Sequence, residues 1–368
     1  MRENELIYWN AFAAIDGFGP QSFKKLLAFF GDLETAWKAG REELIGTGIG
    51  EKKVENLLSE REKISPEKIF QEVRKEQIEI ITINSAVYPL QLKEIPSAPA
   101  VLYGRGDLGI LNNKSLAVVG SRKFTTYGER VAQSLCRDLV RAGLTITSGL
   151  ALGIDAIAHQ ATLEAGGKTM AVLGTGIDDA TIYPRENFNL ARLIIESGGA
   201  LVTEYPPKTP SLKQNFPARN RIMAGLTLGT LVIEAAIGSG SLITAGYALE
   251  FNREVLAVPG DIFSPQSTGA NELIKGGAKL VQSASDILEE LNVKTAGRQA
   301  PLFEEQKNYD PQTSEEKTIW KFLSHEPLHI DRISKMTKLD AAAVNGTLSM
   351  MEVEGAVKNV GGQNYIKL

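Results

Sequence analysis

The chain has 368 residues, enough for roughly two or three domains, and its composition of 43% hydrophobic and 23% charged residues is that of a globular protein. Its 44 acidic and 40 basic residues give a net charge of −4, which excludes a histone-like polycation but not a locally basic surface. The single cysteine, Cys136, excludes a disulfide framework and a cysteine-based zinc site. The N-terminus lacks the apolar run of a signal peptide, so we expect a cytoplasmic protein.

The N-terminal region contains an internal repeat. Gly17-Phe18-Gly19 recurs as Gly48-Ile49-Gly50, and a Leu-Leu pair follows each copy at the same spacing. Each copy predicts a tight turn and then an amphipathic helix, which is the helix–hairpin–helix pattern. We therefore predict a helical domain over residues 1–65. Two interpretations stay open: the hairpins bind DNA phosphates, or they are only the turns of a small helical domain.

Residues 66–113 are predicted to be a connector that packs on the next domain, with a helix over 66–75 and a strand over 78–83. From residue 114 the pattern changes to short β-branched apolar runs separated by helical segments. These runs are LAVVG (116–120), LTITSG (144–149), MAVLG (170–174), ALVTE (200–204), TLVIE (230–234) and VLAVPG (255–260). Continuous apolar strands alternating with helices predict a doubly wound, Rossmann-like α/β domain with a parallel sheet over residues 114–294.

The C-terminal part is predicted to be a polar linker (295–314) followed by a winged-helix domain (315–368), with helices over 315–324, 329–336 and 340–354 and then a β-hairpin. Residues 339–357 contain no lysine or arginine. A recognition helix that enters a DNA groove needs positive charge. We therefore interpret this domain as a protein contact or a degenerate fold, not as a reader of duplex DNA.

The longest apolar stretch, residues 222–249, contains Glu234 as its only charged residue. Glu234 divides it into pieces shorter than the ~20 residues that a membrane span needs. We interpret this stretch as a buried strand followed by a helix and predict no membrane association.

Ligands of doubly wound sheets bind at the carboxyl ends of the strands. The first predicted strand ends in Gly120-Ser121-Arg122, a turn suited to a phosphate at a helix N-terminus, and Ser239-Gly240 follow the fifth strand. The three-glycine dinucleotide fingerprint is absent, so we expect no nicotinamide cofactor. We also predict no metal site.

A basic window between residues 205 and 233 contains four cations and no acidic residue: Lys208, Lys213, Arg219 and Arg221, interleaved with Phe216 and Asn220. Arginines combined with an aromatic side chain favour a surface that binds single-stranded nucleic acid. The alternative is a solvated loop or a set of ion-pair partners for Glu204 and Glu234.

Asp155 and His159 are four residues apart on a predicted helix and therefore share a face. No nucleophile accompanies them, so we expect a structural hydrogen bond or cap and no acid–base pair. Cys136 lies on an apolar helix face, and we expect it in the core.

Seven motifs in the central domain occur in one order: VGSR (119–122), SGLALGIDAIAHQ (148–160), GTGIDDATIYP (174–184), FPARNRI (216–222), EAAIGSGSLITA (234–245), AVPGD (257–261) and STGANELIKGGA (267–278). Over about 160 residues they resemble the DNA-processing protein A family, called DprA or Smf. The resemblance implies a Rossmann-like domain that dimerises, binds single-stranded DNA without base specificity and loads RecA recombinase in natural transformation. No catalytic activity is firmly attached to the family.

The resemblance also implies site residues. The phosphate-binding arginine of the family corresponds to Arg122, and its basic F-P-x-R-N-R segment corresponds to Arg219 and Arg221. The predicted DNA-binding residues are Gly120, Ser121, Arg122, Phe216, Arg219, Asn220, Arg221, Ser239 and Gly240.

An enzyme is the rival prediction. Gly229-Thr230 and Glu234 echo the Gly-Gly-x-Gly-Thr-x-x-Glu motif of nucleotide-hydrolysing Rossmann-like enzymes in the lysine-decarboxylase-like superfamily. The preceding glycine pair is missing, because residues 226–228 are Leu-Thr-Leu. We therefore expect a binding protein and no enzyme.

Overall fold

The structure, a computed structural model, describes residues 3–293, 309–324 and 326–367. The chain divides into two compact units, Met1–Ala296 and Gly297–Leu368. Residues 295–308, which make up most of the predicted linker 295–314, lie outside the described residues.

The first unit opens with a helical region. Its helices are α1 (Glu3–Ala13), α2 (Pro20–Phe30), α3 (Leu33–Lys38), α4 (Arg41–Gly46), α5 (Glu51–Arg61) and α6 (Pro66–Lys75). The repeat has the predicted form, because Gly17 and Gly48 have φ angles of 80° and 72° and each precedes a helix. Lys53 Nζ donates to Ser22 Oγ (2.9 Å), which joins equivalent positions of the two copies.

A nine-stranded sheet forms the centre of the first unit. Its strands are β1 (Glu79–Thr82), β2 (Val101–Gly106), β3 (Ser115–Val119), β4 (Thr145–Ser148), β5 (Thr169–Val172), β6 (Ala200–Thr203), β7 (Gly229–Val232), β8 (Glu254–Ala257) and β9 (Lys279–Leu280), in the order β1-β2-β6-β5-β4-β3-β7-β8-β9. Strands β3 to β9 run parallel, and β2 pairs antiparallel with both β1 and β6. All six predicted strands of the parallel sheet are confirmed.

Helices cover both faces of the sheet, as predicted. They are α7 (Leu90–Lys93), α8 (Thr126–Arg141), α9 (Ile154–Glu164), α10 (Phe188–Glu196), α11 (Asn215–Leu226), α12 (Gly240–Glu250), α13 (Thr268–Lys275) and α14 (Ala284–Glu290). Apolar side chains of α8, α9 and α14 form the core on one face, and those of α11, α12 and α13 form the core on the other. Cys136 is buried in the first of these cores, which confirms its predicted place.

The stretch 222–249 comprises the end of α11, strand β7 and helix α12, as interpreted from the sequence. In the part of the chain that the structure describes, no helix combines the length and apolarity needed to cross a bilayer.

The strand order contains one switch point. The chain builds outward from β3 to β4, β5 and β6, and then returns to place β7 on the other side of β3. The carboxyl ends of β3 and β7 therefore lie side by side with connections that leave in opposite directions. Such a crevice is where open α/β sheets bind their ligands.

The second unit contains α15 (Ser314–Phe322), β10 (Leu328–His329), α16 (Ile330–Thr337), α17 (Ala341–Val353), β11 (Val357–Asn359) and β12 (Asn364–Lys367). The strands form an antiparallel sheet in the order β10-β12-β11, and Ile319, Ile333 and Leu348 are fully buried between the helices. The predicted three helices and hairpin are confirmed, and β10 is an unpredicted third strand.

We expect Gly153→Ala to destabilise the first unit by about 2–5 kcal/mol, from positive-φ strain plus overpacking. Gly153 has φ 86°, and a Cβ there would lie 2.3 Å from Ser121 O and 2.7 Å from Arg122 Cα. Gly143→Ala is the matched control, because Gly143 has φ 90° but no atom within 4 Å of an added Cβ. Urea unfolding followed by tryptophan fluorescence measures both, and an equal loss in the two variants would contradict the steric argument.

Candidate nucleic-acid interface

The turn Gly120–Arg122 lies at the switch point, directly after β3. Ser121 is buried, and its Oγ lies 2.8 Å from Gln266 Oε1 in the loop that follows β8. Ser121 O accepts a hydrogen bond from Ile154 N (3.2 Å) at the start of α9. The backbone of the turn is therefore held from two sides.

Two cationic side chains at the end of this turn are exposed to solvent. The side chains of Arg122 and Lys123 are exposed, and neither forms an ion pair with any residue that the structure describes. An exposed, unpaired guanidinium on a fixed backbone can form bidentate hydrogen bonds with a phosphate at little reorganisation cost. Arg122 thus lies where the sequence predicts a phosphate contact.

The helix after the turn corrects one expectation. Helix α8 begins at Thr126, four residues beyond Arg122, and the buried Glu234 fills its N-terminus. Thr125 N donates to Glu234 Oε2 (2.9 Å), and Thr125 Oγ1 donates to Oε1 (2.5 Å). A Cβ on Gly128 would lie 2.3 Å from this carboxylate. The position where this fold usually binds an anion at a helix N-terminus is therefore occupied by the protein's own carboxylate.

The N-terminus of α12, after the neighbouring strand β7, is open. Ser239 caps this helix, and Gly240 is exposed with no atom within 4 Å of an added Cβ. Asn220 Nδ2 donates to Gly240 O (3.1 Å) and holds the turn in place. The predicted residues Asn220, Ser239 and Gly240 are therefore brought together at a helix N-terminus that faces solvent.

Arg219 occupies an interior position that the sequence did not predict. It is 4% exposed, and its Nη1 donates to Gly149 O (2.8 Å) and to Val172 O. Its Nε donates to Asn220 Oδ1 (3.2 Å), and burial lowers the pKa of the guanidinium to about 10. Arg219 is therefore buried and bonded to the protein's own backbone, and its predicted role in DNA binding stays a prediction. Arg219 joins the ends of β4 and β5, because the N–H groups of one guanidinium can donate hydrogen bonds to several carbonyl oxygens at once.

Arg221 is also paired internally. Its Nη2 lies 2.5 Å from Glu204 Oε2, and the two side chains are 12% and 16% exposed. Burial raises the pKa of Glu204, and the neighbouring Arg221 opposes this shift. The ion-pair alternative is thus confirmed for Glu204, while Glu234 binds Thr125 instead. Lys208 pairs with Glu72 (2.6 Å).

Phe216 belongs to an aromatic pair at the same edge of the sheet. Its ring centroid lies 5.7 Å from that of Tyr183, which is 44% exposed. A Cβ on Gly174 would lie 2.9 Å from the Phe216 ring, so the glycine is needed for this packing. Tyr183 was missing from the predicted site residues, although it lies in the motif 174–184.

Asp155 and His159 are interior residues, which confirms the structural interpretation. Asp155 Oδ2 accepts from Gly149 N (3.1 Å), and His159 Nδ1 lies 2.7 Å from Thr169 Oγ1. Burial raises the pKa of Asp155, opposed by Arg219, and lowers the pKa of His159 to about 3.

Glu234→Gln is expected to loosen the turn after β3. A glutamine offers one oxygen acceptor, so one of the two hydrogen bonds from Thr125 is lost, at a cost of about 1–2 kcal/mol of stability. Hydrogen exchange at Thr125 should become faster, while exchange at Ile146 in β4 should change less. Unchanged protection of Thr125 would show that the carboxylate does not hold the loop.

The buried His159 predicts a pH dependence of stability. Its folded-state pKa of about 3 lies below the unfolded value of about 6.5, so its contribution is present above pH 6.5 and is lost as the pH falls toward 3. From pH 7 to 5.5 this loss is about 1 kcal/mol. Urea unfolding measures the free energy of unfolding at both pH values. Between pH 7 and 5.5 it should fall by about 1 kcal/mol less in His159→Gln than in the wild type. An identical difference in wild type and variant would contradict the assignment.

Comparison with known proteins places this geometry in a family. A family model described as DNA recombination-mediator protein A matches residues 79–292, and one described as the DprA winged helix domain matches residues 304–363. Protein Smf of Synechocystis sp. is 35% identical over 402 residues, which cover 99% of each chain. DNA processing protein DprA of Bacillus subtilis is 43% identical over 238 residues, or 64% of this chain and 79% of the relative.

Two solved structures are similar as well. That of DNA processing protein A from Streptococcus pneumoniae aligns with a TM-score of 0.67 at 35% identity, over 77% of this chain and 97% of that one. The Helicobacter pylori protein aligns with a TM-score of 0.53 at 28% identity, over 59% and 97%, and its structure is described in terms of a unique single-stranded DNA binding mode. Because the first family model spans more than half of the chain and the Synechocystis relative nearly all of it, the chain belongs to the DprA/Smf family of DNA-processing proteins.

Proposed function

We propose that this protein binds single-stranded DNA through its phosphates, independently of base sequence. The observation that carries the proposal is the exposed, unpaired Arg122 on a turn held from within at the switch point of the sheet. The open N-terminus of α12 at Gly240 follows the adjacent strand and offers backbone donors to a second phosphate. Membership of a family in which the Helicobacter pylori relative binds single-stranded DNA supports the same conclusion.

Arg219 strengthens this site without contacting solvent. Burial lowers its pKa most, the nearby Asp155 raises it, and the charge of Arg122 lowers it, so the two cations repel each other across the turn. A phosphate that binds Arg122 relieves this repulsion, because it brings a negative charge near both guanidinium groups. Arg219 therefore acts as a positioning residue with a long-range electrostatic contribution.

The aromatic pair Tyr183 and Phe216 favours a single strand over a duplex. Unpaired bases can stack on exposed aromatic rings, whereas the bases of a duplex are already stacked on each other. Lys213 is exposed in the same chain segment as Phe216 and adds positive charge. These contacts require a base but do not read its edge, so they give no base specificity.

We further propose that the bound strand is transferred to RecA recombinase in natural transformation or recombination, and that a homodimer aligns two sites along one strand. Family membership supports this part of the proposal. The enzyme alternative is disfavoured, because the Glu234 carboxylate occupies the N-terminus of α8 and is engaged by Thr125. A screen for turnover of nucleoside monophosphates tests that alternative directly.

Arg122→Ala is expected to weaken binding to labelled oligo-dT by roughly tenfold and to lower the salt slope by roughly 0.7, because one phosphate contact is lost. Fluorescence anisotropy at two salt concentrations measures both effects. Arg137→Ala is the matched control, because Arg137 is an exposed arginine near the far end of α8. A folded wild type that fails to bind even at low salt would overturn the proposal, as would an equal effect of the two substitutions.

A further inference from the structure

Four large apolar side chains are exposed to solvent in the loops at the carboxyl edge of the sheet. Phe263 is 86% exposed, Ile262 77%, Ile237 75% and Phe124 41%. Phe124 follows β3, Ile237 follows β7, and Ile262 and Phe263 follow β8, so the three loops leave adjacent strands. Exposed apolar groups gathered in one region mark an interaction surface more often than single ones do. We call these four residues the apolar rim.

The loops that carry the apolar rim are held by hydrogen bonds to their neighbours. Tyr127 OH donates to Pro259 O (2.8 Å), and Gly269 N donates to Ala235 O (2.7 Å). The first bond joins the start of α8 to the loop after β8, and the second joins the loop after β7 to the first turn of α13, which follows the β8 loop. The side chains are therefore presented to solvent on a preorganised backbone.

The same loops are joined to the phosphate turn. Gln266, three residues beyond Phe263, binds the Ser121 hydroxyl (2.8 Å), and Phe124 lies two residues beyond Arg122. Three of the four rim side chains follow β7 and β8, which lie to one side of β3, the strand that carries the Arg122 turn. The exposed carboxylate of Asp261 lies within the rim loop and accepts a hydrogen bond from Phe263 N (2.9 Å). Its charge repels phosphates from the rim but leaves uncharged bases free to approach.

We propose that the apolar rim is a second base platform, besides the Tyr183–Phe216 pair, for the strand whose phosphates bind the Gly120–Arg122 turn, with Phe263 as the main stacking residue of the rim. This inference rests on the proposed function. A single strand has a charged phosphate side and a flat apolar base side. The phosphate contacts at Arg122 and Gly240 and the apolar side chains of the rim offer one group of contacts to each side of the strand. The apolar side chains have no hydrogen-bonding groups, so any base satisfies them.

Base removal tests the inference. The probes are a labelled oligo-dT and an abasic strand of equal length, which carries the same phosphates without bases. Wild type should bind oligo-dT more tightly than the abasic strand. Phe263→Ala should weaken oligo-dT binding about tenfold and leave abasic binding nearly unchanged, because stacking is lost and phosphate contacts remain.

Phe29→Ala is the matched control, since Phe29 is a 54% exposed phenylalanine of α2, and it should change neither affinity. Phe263→Trp should bind oligo-dT as tightly as the wild type does. The fluorescence of the introduced tryptophan should be quenched by oligo-dT but not by the abasic strand. If wild type binds DNA and Phe263→Ala keeps the wild-type ratio of the two affinities, the inference is overturned while the proposed function stands. If a folded wild type binds neither strand, both are overturned.

Discussion

The candidate site depends on the hydrogen bonds that the buried guanidinium of Arg219 forms. The guanidinium bonds the carbonyl oxygens at the ends of β4 and β5 and reaches the N-terminus of α12 through Asn220. A buried charge is stable only when its donors are satisfied, so Arg219 requires these loops to adopt one arrangement. The glycine at position 149 follows from the same constraint, because a Cβ there would lie 2.5 Å from the guanidinium.

The charged groups at the switch point divide into two sets with different tasks. Arg219, Arg221 and Glu234 are buried or half-buried, and each is bound to groups of the protein itself. They shape the loops. Arg122 and Lys123 are exposed, and they are available to an anion from solution. The Glu234 carboxylate also occupies the N-terminus of α8, which is the position where Rossmann-like sheets commonly bind an anion.

The prediction of strands succeeded where a local apolar pattern marks the strand. It failed where a strand is defined by its pairing with distant segments. The six β-branched runs became strands within three residues of their predicted bounds, because an apolar run of that length in a βα repeat has little alternative. Strand β2 contains two glycines and pairs antiparallel, and β9 has two residues, so neither shows a comparable pattern. The domain boundaries over 1–113 remain predictions, since the N-terminal helices share a core with strands of the sheet.

The sequence alone determined the doubly wound sheet, the winged helix, the family and the turn at Gly120–Arg122, because periodicity and contiguous motifs are visible along the chain. It could not distinguish Arg122 from Arg219, since both are arginines in family motifs. Only the tertiary structure placed one in solvent and the other between two strand ends. It also brought Phe124, Ile237 and Phe263 to one edge, although the first and the last are 139 residues apart in the sequence. Burial and partner choice depend on contacts between distant segments, and those contacts exist only after the sheet has formed its strand order.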